Sequence, residues 1–144
     1  MIIGSVSENK EIEKRISITP EVAKKYINLG FEIHLSENYG KHLGFEDNQY
    51  KEYGAKFFSE DKKIIENLDI LVQMGLLDED KISYLKSNQT YIGVLNLYEN
   101  KKKLEELVKK KINLFALELL PRITRAQSMD ILSSQANLAG YKAV

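Results

Sequence analysis

The chain of 144 residues is long enough for one domain with a hydrophobic core, and its 43% hydrophobic and 29% charged residues are ordinary for a globular domain. Its 21 basic and 21 acidic side chains balance, which argues against a nucleic-acid partner, because phosphate binding needs a basic excess. The sequence has no cysteine for disulfides, thiolate metal ligands or nucleophilic catalysis, and no apolar run approaching the roughly 20 residues of a membrane span.

Apolar runs of strand length alternate along the chain with longer segments of helical period. The predicted strands cover residues 2–6, 31–35, 56–58, 69–74, 90–97 and 113–117. The predicted helices cover residues 20–29, 45–53, 59–68, 78–85 and 100–111. Thr19 as N-cap, Pro20 at the first helical position and Gly30 at the C-terminal end mark the first helix. This alternation predicts one α/β domain over residues 1–144, with a parallel sheet covered by helices on both faces.

Open parallel sheets bind ligands in the crevice beyond the carboxyl ends of their strands. That rule selects the loops after Val6, Met74, Leu97 and Leu117. The last of these loops leads into the densest group of directional polar side chains in the chain. We therefore expect the functional site to include residues 121–134.

Beyond residue 120, a final helix is predicted to begin near Ser128, with Ser128 as a capping residue. At three- and four-residue spacing, one helix face is polar and the opposite face is apolar. The polar face consists of Asp130, Ser133, Ser134, Asn137 and Tyr141. The apolar face consists of Met129, Leu132, Ala136, Ala139 and Ala143. The pattern continues to Val144 without a stop signal, so we expect the chain to be part of a longer protein.

The polar groups of this segment suit the binding of a planar amide and a ribose, because they combine carboxylate, hydroxyl, guanidinium and amide groups. No histidine or cysteine lies near them to activate a serine. The alternative is that Ser128 and Asp130 are helix caps and that Arg122 and Arg125 are solvated loop residues. Capping is favoured for Ser128 alone. A binding role is favoured for the set of Arg122, Gln127, Asp130 and Ser133.

The two histidines do not suggest a metal site, since neither has a partner at helical spacing or an adjacent carboxylate pair. His34 falls on a predicted strand, where packing is the favoured role. His42 lies between Gly40 and Gly44 and is expected at a surface turn.

Residues 121–130 (PRITRAQSMD) and 132–141 (LSSQANLAGY) closely resemble the NAD(H)-binding component, domain I of the alpha subunit, of proton-translocating nicotinamide nucleotide transhydrogenase. Residues 14–20 (KRISITP) and 44–55 resemble the start that this component shares with alanine dehydrogenase. The resemblance covers essentially the whole chain. The front motifs indicate the combined superfamily, whereas the later motifs are specific to the transhydrogenase.

The resemblance implies a Rossmann/flavodoxin-like lobe that lacks the glycine-rich fingerprint, which belongs to a second lobe absent from this chain. It implies that Arg122, Asp130 and Ser133 contact the nicotinamide end of NAD(H), and that Gln127 reaches toward NADP(H) supplied by a separate domain. Gln127 and Asp130 are the implied catalytic residues. Hydride would pass directly between the two nicotinamides, coupled elsewhere to proton translocation.

The resemblance also implies partners and a location. The implied partners are the second lobe, the NADP(H)-binding and membrane domains, and a second copy in a homodimer. The implied location is the cytoplasmic or mitochondrial matrix side of a membrane complex.

Two departures from the alanine dehydrogenase pattern disfavour alanine oxidation. Asn96 stands where those relatives place a catalytic histidine, and Gln73 stands where they tend to have a lysine. Arg15 is expected either in the cleft or in an ion pair with Glu11 or Glu37. Two alternatives to the transhydrogenase hypothesis stay open: an alanine dehydrogenase-like oxidoreductase, and a non-catalytic binding or assembly module.

Overall fold

The computed structural model describes residues 1–143, which form a single six-stranded sheet flanked by helices. The strands are β1 (Ile2–Ser5), β2 (Glu32–Ser36), β3 (Lys56–Phe58), β4 (Ile70–Val72), β5 (Thr90–Gly93) and β6 (Asn113–Ala116). All neighbouring strands are parallel, in the order β3-β2-β1-β4-β5-β6. The strand order therefore reverses between β1 and β4, which defines the topological switch point of the sheet.

The described part of the chain contains six α-helices and three short 3₁₀ helices between and after the strands. The α-helices are α1 (Pro20–Asn28), α2 (Asp47–Lys51), α3 (Asp61–Ile65), α4 (Glu79–Ile82), α5 (Lys101–Lys109) and α6 (Ile131–Ala143). The 3₁₀ helices are Lys41–Leu43, Leu117–Leu119 and Thr124–Met129. Every strand predicted from the sequence is present, although β4 and β5 are shorter than expected.

The helices cover both faces of the sheet, as the sequence predicts. Leu71 of β4 belongs to a core cluster with Ile64 of α3 and Leu107 of α5. Its neighbours in β4 pack against a second cluster, which contains Ala23 of α1 and Tyr50 of α2. Since successive strand residues point to opposite faces, α1 and α2 cover one face, and α3 and α5 cover the other.

Local signals explain why α1 begins and ends where it does. The side chain of Thr19 accepts a hydrogen bond from the Val22 N–H at 3.4 Å, and Pro20 occupies the first turn. Gly30 follows with φ of +88°, the left-handed conformation that glycine adopts without steric cost. The predicted caps of α1 are therefore confirmed.

The last helix differs from its prediction. Residues Thr124–Met129 form a 3₁₀ helix, and α6 begins only at Ile131, so the predicted start near Ser128 is wrong. The break lies at Asp130, whose backbone is extended with φ of −75° and ψ of 95°. Within the described part of the chain α6 buries none of its residues, so the apolar face predicted for it is exposed.

Candidate functional site

Loops from three neighbouring strands line a crevice at the switch point. The loops follow β1, β4 and β5, and the crevice has a volume of about 290 Å³. Its ionisable and amide side chains are Glu8, Asn9, Glu13, Arg15, Asp78, Lys81, Asn96, Asn100 and Lys103. Three of the four loops selected by the crevice rule therefore meet around one hollow, which we call the switch-point crevice.

Gln73 does not line this crevice but is buried directly beside it, between the lining residue Met74 and β4 and in contact with the lining residue Glu8. Its side-chain oxygen accepts hydrogen bonds from the Ser5 hydroxyl at 2.5 Å and the Val6 N–H at 2.9 Å. Its amide nitrogen donates to the Val6 carbonyl and to Glu8 Oε1, both at 3.2 Å. Because Gln73 is only 3% exposed, it ties the end of β4 to the end of β1 and offers no group to a ligand in the crevice.

Gly93, at the end of β5, allows that strand to approach Gln73 closely. A Cβ atom at Gly93 would lie 2.7 Å from the carbonyl oxygen of Gln73, which is closer than a Cβ atom approaches a non-bonded heavy atom. The position is therefore restricted to glycine by packing.

Glu8 extends the same network toward the solvent. Its Oε1 accepts hydrogen bonds from the N–H groups of Met74 at 2.7 Å and Gly75 at 3.4 Å. Burial raises the pKa of Glu8 above its ordinary value of 4.5, against the opposing effect of these two backbone donors. The sequence prediction did not include Glu8. Its place directly after β1, in a loop that the crevice rule selects, was the available signal.

Arg15 lies in the crevice, as one of its two predicted placements requires, but with a different ion-pair partner. Its Nη2 is 2.6 Å from Glu13 Oε2, and its Nε donates to Glu13 Oε1 at 2.9 Å. The expected pairing with Glu11 or Glu37 is therefore wrong. The bidentate hydrogen bond from Arg15 lowers the pKa of Glu13. The two side chains can meet in this way because only Lys14 separates Glu13 from Arg15 in the sequence.

The loop after β6 builds a second hollow, of about 310 Å³, lined by Arg122, Ile123, Thr124, Gln127, Asp130 and Ser133. All four residues that the sequence singled out as a binding set therefore line one hollow, which we call the β6 hollow. It shares no lining residue with the switch-point crevice. Thr124 and Ile123 are lining residues that the sequence prediction did not include.

Asp130 makes more hydrogen bonds than any other side chain of the β6 hollow. Its Oδ1 accepts hydrogen bonds from the N–H groups of Leu132 at 3.0 Å and Ser133 at 3.1 Å, and its Oδ2 accepts one from the Ser133 hydroxyl at 2.6 Å. The Ser133 side chain, followed by the Ser133 N–H, lowers the pKa of Asp130. Asp130 is therefore ionised at neutral pH.

These hydrogen bonds also make Asp130 the cap of α6. The alternative that Asp130 is a capping group describes its geometry correctly, whereas the expectation that Ser128 caps the helix is wrong. A carboxylate oxygen has about two acceptor directions, so the three bonds leave about one acceptor direction of Asp130 open to a ligand.

The two donor residues of the hollow are exposed. In residues 1–143 the Arg122 guanidinium and the Gln127 amide make no side-chain hydrogen bond or ion pair within the chain, and both line the hollow beside Asp130. Arg125 does not line the hollow. The remaining polar residues of the predicted helix face, Ser134, Asn137 and Tyr141, are exposed along α6 away from it.

Both histidines are placed as their sequence contexts indicate. His34 is 6% exposed, packs at 4.9 Å against the ring of Phe58 and bonds to Glu32. His42 is exposed in the 3₁₀ helix Lys41–Leu43, and its Nε2 lies 2.7 Å from the Lys14 carbonyl oxygen.

A parallel α/β lobe with a crevice at its switch point is the general form of a nucleotide-binding or small-ligand-binding domain. The sequence model of the family described as "Alanine dehydrogenase/PNT, N-terminal domain" matches residues 4–139. The chain therefore belongs to this family.

Relatives from both branches of the family match the chain. It is 38% identical to an NAD(P) transhydrogenase alpha-subunit polypeptide of Rhodospirillum rubrum, over 100% of the chain and 39% of that protein. The transhydrogenase structure from Sinorhizobium meliloti superposes with a TM-score of 0.92 at 33% identity, over 99% of the chain and 42% of that structure. Alanine dehydrogenase 1 of Staphylococcus aureus is 25% identical, over 99% of the chain and 37% of that protein.

These figures define both the similarity and its extent. The transhydrogenase branch is more similar to the chain than the alanine dehydrogenase branch is, which agrees with the specific motifs of residues 121–141. The chain spans well under half the length of the relatives it matches. Among residues 1–143, no helix is long and apolar enough to cross a membrane.

Proposed function

We propose that this chain is the first lobe of the NAD(H)-binding component of an NAD(P) transhydrogenase, and that its β6 hollow holds the nicotinamide end of NAD(H). One observation carries the proposal: Arg122, Gln127, Asp130 and Ser133 line a single hollow. Their transhydrogenase-like motif and the greater identity to transhydrogenase subunits support it.

The polar groups of the hollow suit a carboxamide and its neighbouring ribose. The open acceptor direction of Asp130 takes an N–H donor, and the guanidinium of Arg122 donates to carbonyl or hydroxyl oxygens. Ser133 already donates its hydroxyl hydrogen to Asp130, so its oxygen is left to accept. The set is complementary to a planar amide in both donors and acceptors.

The same set fits hydride transfer between nicotinamides. A bound nicotinamide supplies the hydride chemistry itself, so the protein needs to fix ring orientation and exclude water but does not need a general base. No histidine lines the β6 hollow, and its one carboxylate is held ionised as an acceptor. We propose that Asp130 orients the carboxamide and that Gln127 faces NADP(H) presented by a separate domain.

The proposed function requires partners. The exposed α6, with Leu138 61% and Leu132 44% exposed, offers an apolar surface suited to the second lobe of the component. Relatives that are more than twice as long as the chain support the presence of such a lobe. We further propose NADP(H)-binding and membrane domains, a homodimer of the complete component, and a position at the cytoplasmic or matrix face of a membrane.

The geometry of the switch-point crevice disfavours alanine oxidation as an alternative. Arg15 is engaged by Glu13 through two hydrogen bonds, and Gln73 is buried and does not line the crevice. Asn96 has a left-handed backbone, with φ of 48°, and carries no group that exchanges protons at neutral pH. A non-catalytic binding or assembly module is the other alternative, which an assay of the complete protein distinguishes.

The test is hydride transfer from NADH to an NADP+ analogue in the complete native polypeptide, assembled with the NADP(H)-binding component. Asp130→Asn keeps a cap-competent oxygen, so we expect helix stability to be retained while the transfer rate falls by at least about tenfold. Gln127→Ala is expected to lower the rate and leave NADH binding nearly unchanged. Ser128→Ala is the control, since Ser128 does not line the hollow. Equal rates in the wild type and all three variants would contradict the proposal.

A further inference from the structure

The segment that carries the β6 hollow is loosely attached to the rest of the domain. Between residues 117 and 143, only Ala126 is buried. The backbone hydrogen bonds of this segment, such as Ala126 N–H to Ile123 O and Ser134 N–H to Asp130 O, are local. Local bonds shape the segment but do not fix it relative to the sheet.

The side chain of Glu118 is the exception, because it forms hydrogen bonds outside this segment. Both oxygens of its carboxylate lie 3.1 Å from the backbone nitrogen of Leu95, which donates to them. Among the hydrogen bonds of residues 1–143, these are the ones that join residues 117–143 to the body of the domain. The connection is charge-assisted and only partly exposed to solvent, so it is stronger than an ordinary surface contact.

The acceptor of this connection belongs to the loosely attached segment, whereas its donor belongs to the core. Leu95 is 0% exposed and lies in the core cluster of α3, α4 and α5. Asn96, the next residue, lines the switch-point crevice. The carboxylate of Glu118 therefore anchors the segment to the loop after β5, directly beside that crevice.

From this geometry we infer that Glu118 is a positioning residue for the β6 hollow, fixing residues 121–133 relative to the carboxyl end of the sheet. The inference rests on the proposed function, because the consequence of misplacing the hollow is measured as hydride transfer. Glu118 does not line the hollow itself and acts through the segment it anchors. Hydride transfer is sensitive to small displacements of the reacting rings, so a loosened segment lowers the rate.

Two substitutions of Glu118 differ in how many side-chain oxygens they leave to accept the hydrogen bond from Leu95. Glu118→Gln keeps one oxygen that accepts from Leu95, and Glu118→Ala keeps none. Glu106→Ala is the matched control, because Glu106 is exposed on α5 and its side chain makes no hydrogen bond or ion pair in residues 1–143.

The first measurement is amide hydrogen exchange in the complete native polypeptide without nucleotide. We expect exchange at Leu95 and through residues 119–130 to accelerate about tenfold in Glu118→Ala, to accelerate less in Glu118→Gln, and to stay unchanged in α1. If Glu118→Ala unfolds globally, α1 also exchanges faster, and Glu118→Gln then carries the test. Exchange in both variants equal to that of Glu106→Ala would overturn the inference.

The second measurement is hydride transfer in the assembled protein. We expect kcat to fall about tenfold in Glu118→Ala, with partial rescue in Glu118→Gln and with the KM for NADP(H) unchanged. A kcat equal to that of the control would overturn the inference, since a merely structural role changes the unfolding midpoint alone. Absence of transfer in the wild-type protein would refute the proposed function instead, and the exchange result would still decide what Glu118 anchors.

Discussion

Gln73 is the residue whose replacement best tests how the switch-point crevice is built. It is 3% exposed and joins the ends of β1 and β4 through four side-chain hydrogen bonds. Methionine has nearly the same length and volume as glutamine but offers no strong donor or acceptor. Gln73→Met therefore removes the hydrogen bonds and creates little empty space.

The cost follows from the buried groups that lose a hydrogen bond, although the Ser5 hydroxyl still accepts one from the Tyr39 hydroxyl at 2.8 Å. Ser5 and Val6 are both 0% exposed, so the Ser5 hydroxyl, the Val6 N–H and the Val6 carbonyl each lose their hydrogen bond to Gln73 in a dry environment. An unsatisfied buried polar group costs about 1–3 kcal/mol. Since some of these groups recover a partner by small shifts, we expect the free energy of unfolding to fall by about 3 kcal/mol, or the melting temperature by about 6–12 °C.

Urea unfolding monitored by circular dichroism measures this change. Gln135→Met is the control, because Gln135 is exposed on α6 and its side chain makes no hydrogen bond in residues 1–143; its effect is expected within about 0.5 kcal/mol. A Gln73→Met variant as stable as the control would refute the buried network and the reasoning that excludes Gln73 from ligand binding.

Two further predictions concern pH. Glu8→Gln keeps an acceptor oxygen and removes an ionisable carboxyl whose pKa in the folded protein is raised by burial. The stability that the wild-type carboxyl contributes is present below its unfolded pKa of 4.5 and is lost as pH rises through the folded pKa. Unfolding titrations should therefore show the variant gaining on the wild type above pH 4.5, and a gap independent of pH would contradict the assigned burial. For Glu32, the hydrogen bond from Lys56 and, to a lesser extent, the one from His34 lower the pKa to about 2. The contribution of Glu32 to folding stability is therefore present above its unfolded pKa of 4.5 and is lost as pH falls toward 2. The stability difference between the wild type and Glu32→Gln should shrink over that acidic interval, and a constant difference would show that the Lys56–Glu32–His34 contacts do not form in solution.

The parts of the fold that the sequence predicts correctly are those set by local signals. The caps of α1 depend on Thr19, Pro20 and Gly30, which are neighbours of the helix in sequence. The strands appear where apolar runs do. The order β3-β2-β1-β4-β5-β6 places β1 beside β4, two strands that are not consecutive in the chain, and periodicity contains no information about that pairing.

The start of α6 shows how a local signal also misleads. Ser128 and Asp130 are both competent caps, and sequence alone does not rank them. The 3₁₀ helix Thr124–Met129 uses the residues that an earlier start would need, and the extended backbone of Asp130 then places its carboxylate over the N–H groups of Leu132 and Ser133. The true cap depends on the path of the chain leaving β6.

The β6 hollow and the switch-point crevice differ in how far apart in sequence their interacting residues lie. Arg122, Gln127, Asp130 and Ser133 lie within one short stretch, so their assembly in the β6 hollow was predictable from spacing. Glu8 and Gln73 are 65 positions apart, and the anchor from Glu118 to Leu95 spans 23. Such contacts follow from the strand order, which is why the crevice network and the anchor were absent from the sequence prediction.

The most direct test of the proposed nicotinamide site is the structure of the complete protein with NAD(H) bound. We expect the carboxamide of the nicotinamide to lie within hydrogen-bond distance, about 3 Å, of Asp130 and of the Arg122 guanidinium in the β6 hollow. A nicotinamide bound instead in the switch-point crevice beside Arg15 and Asn96, with the β6 hollow empty, would contradict the proposed function of that hollow.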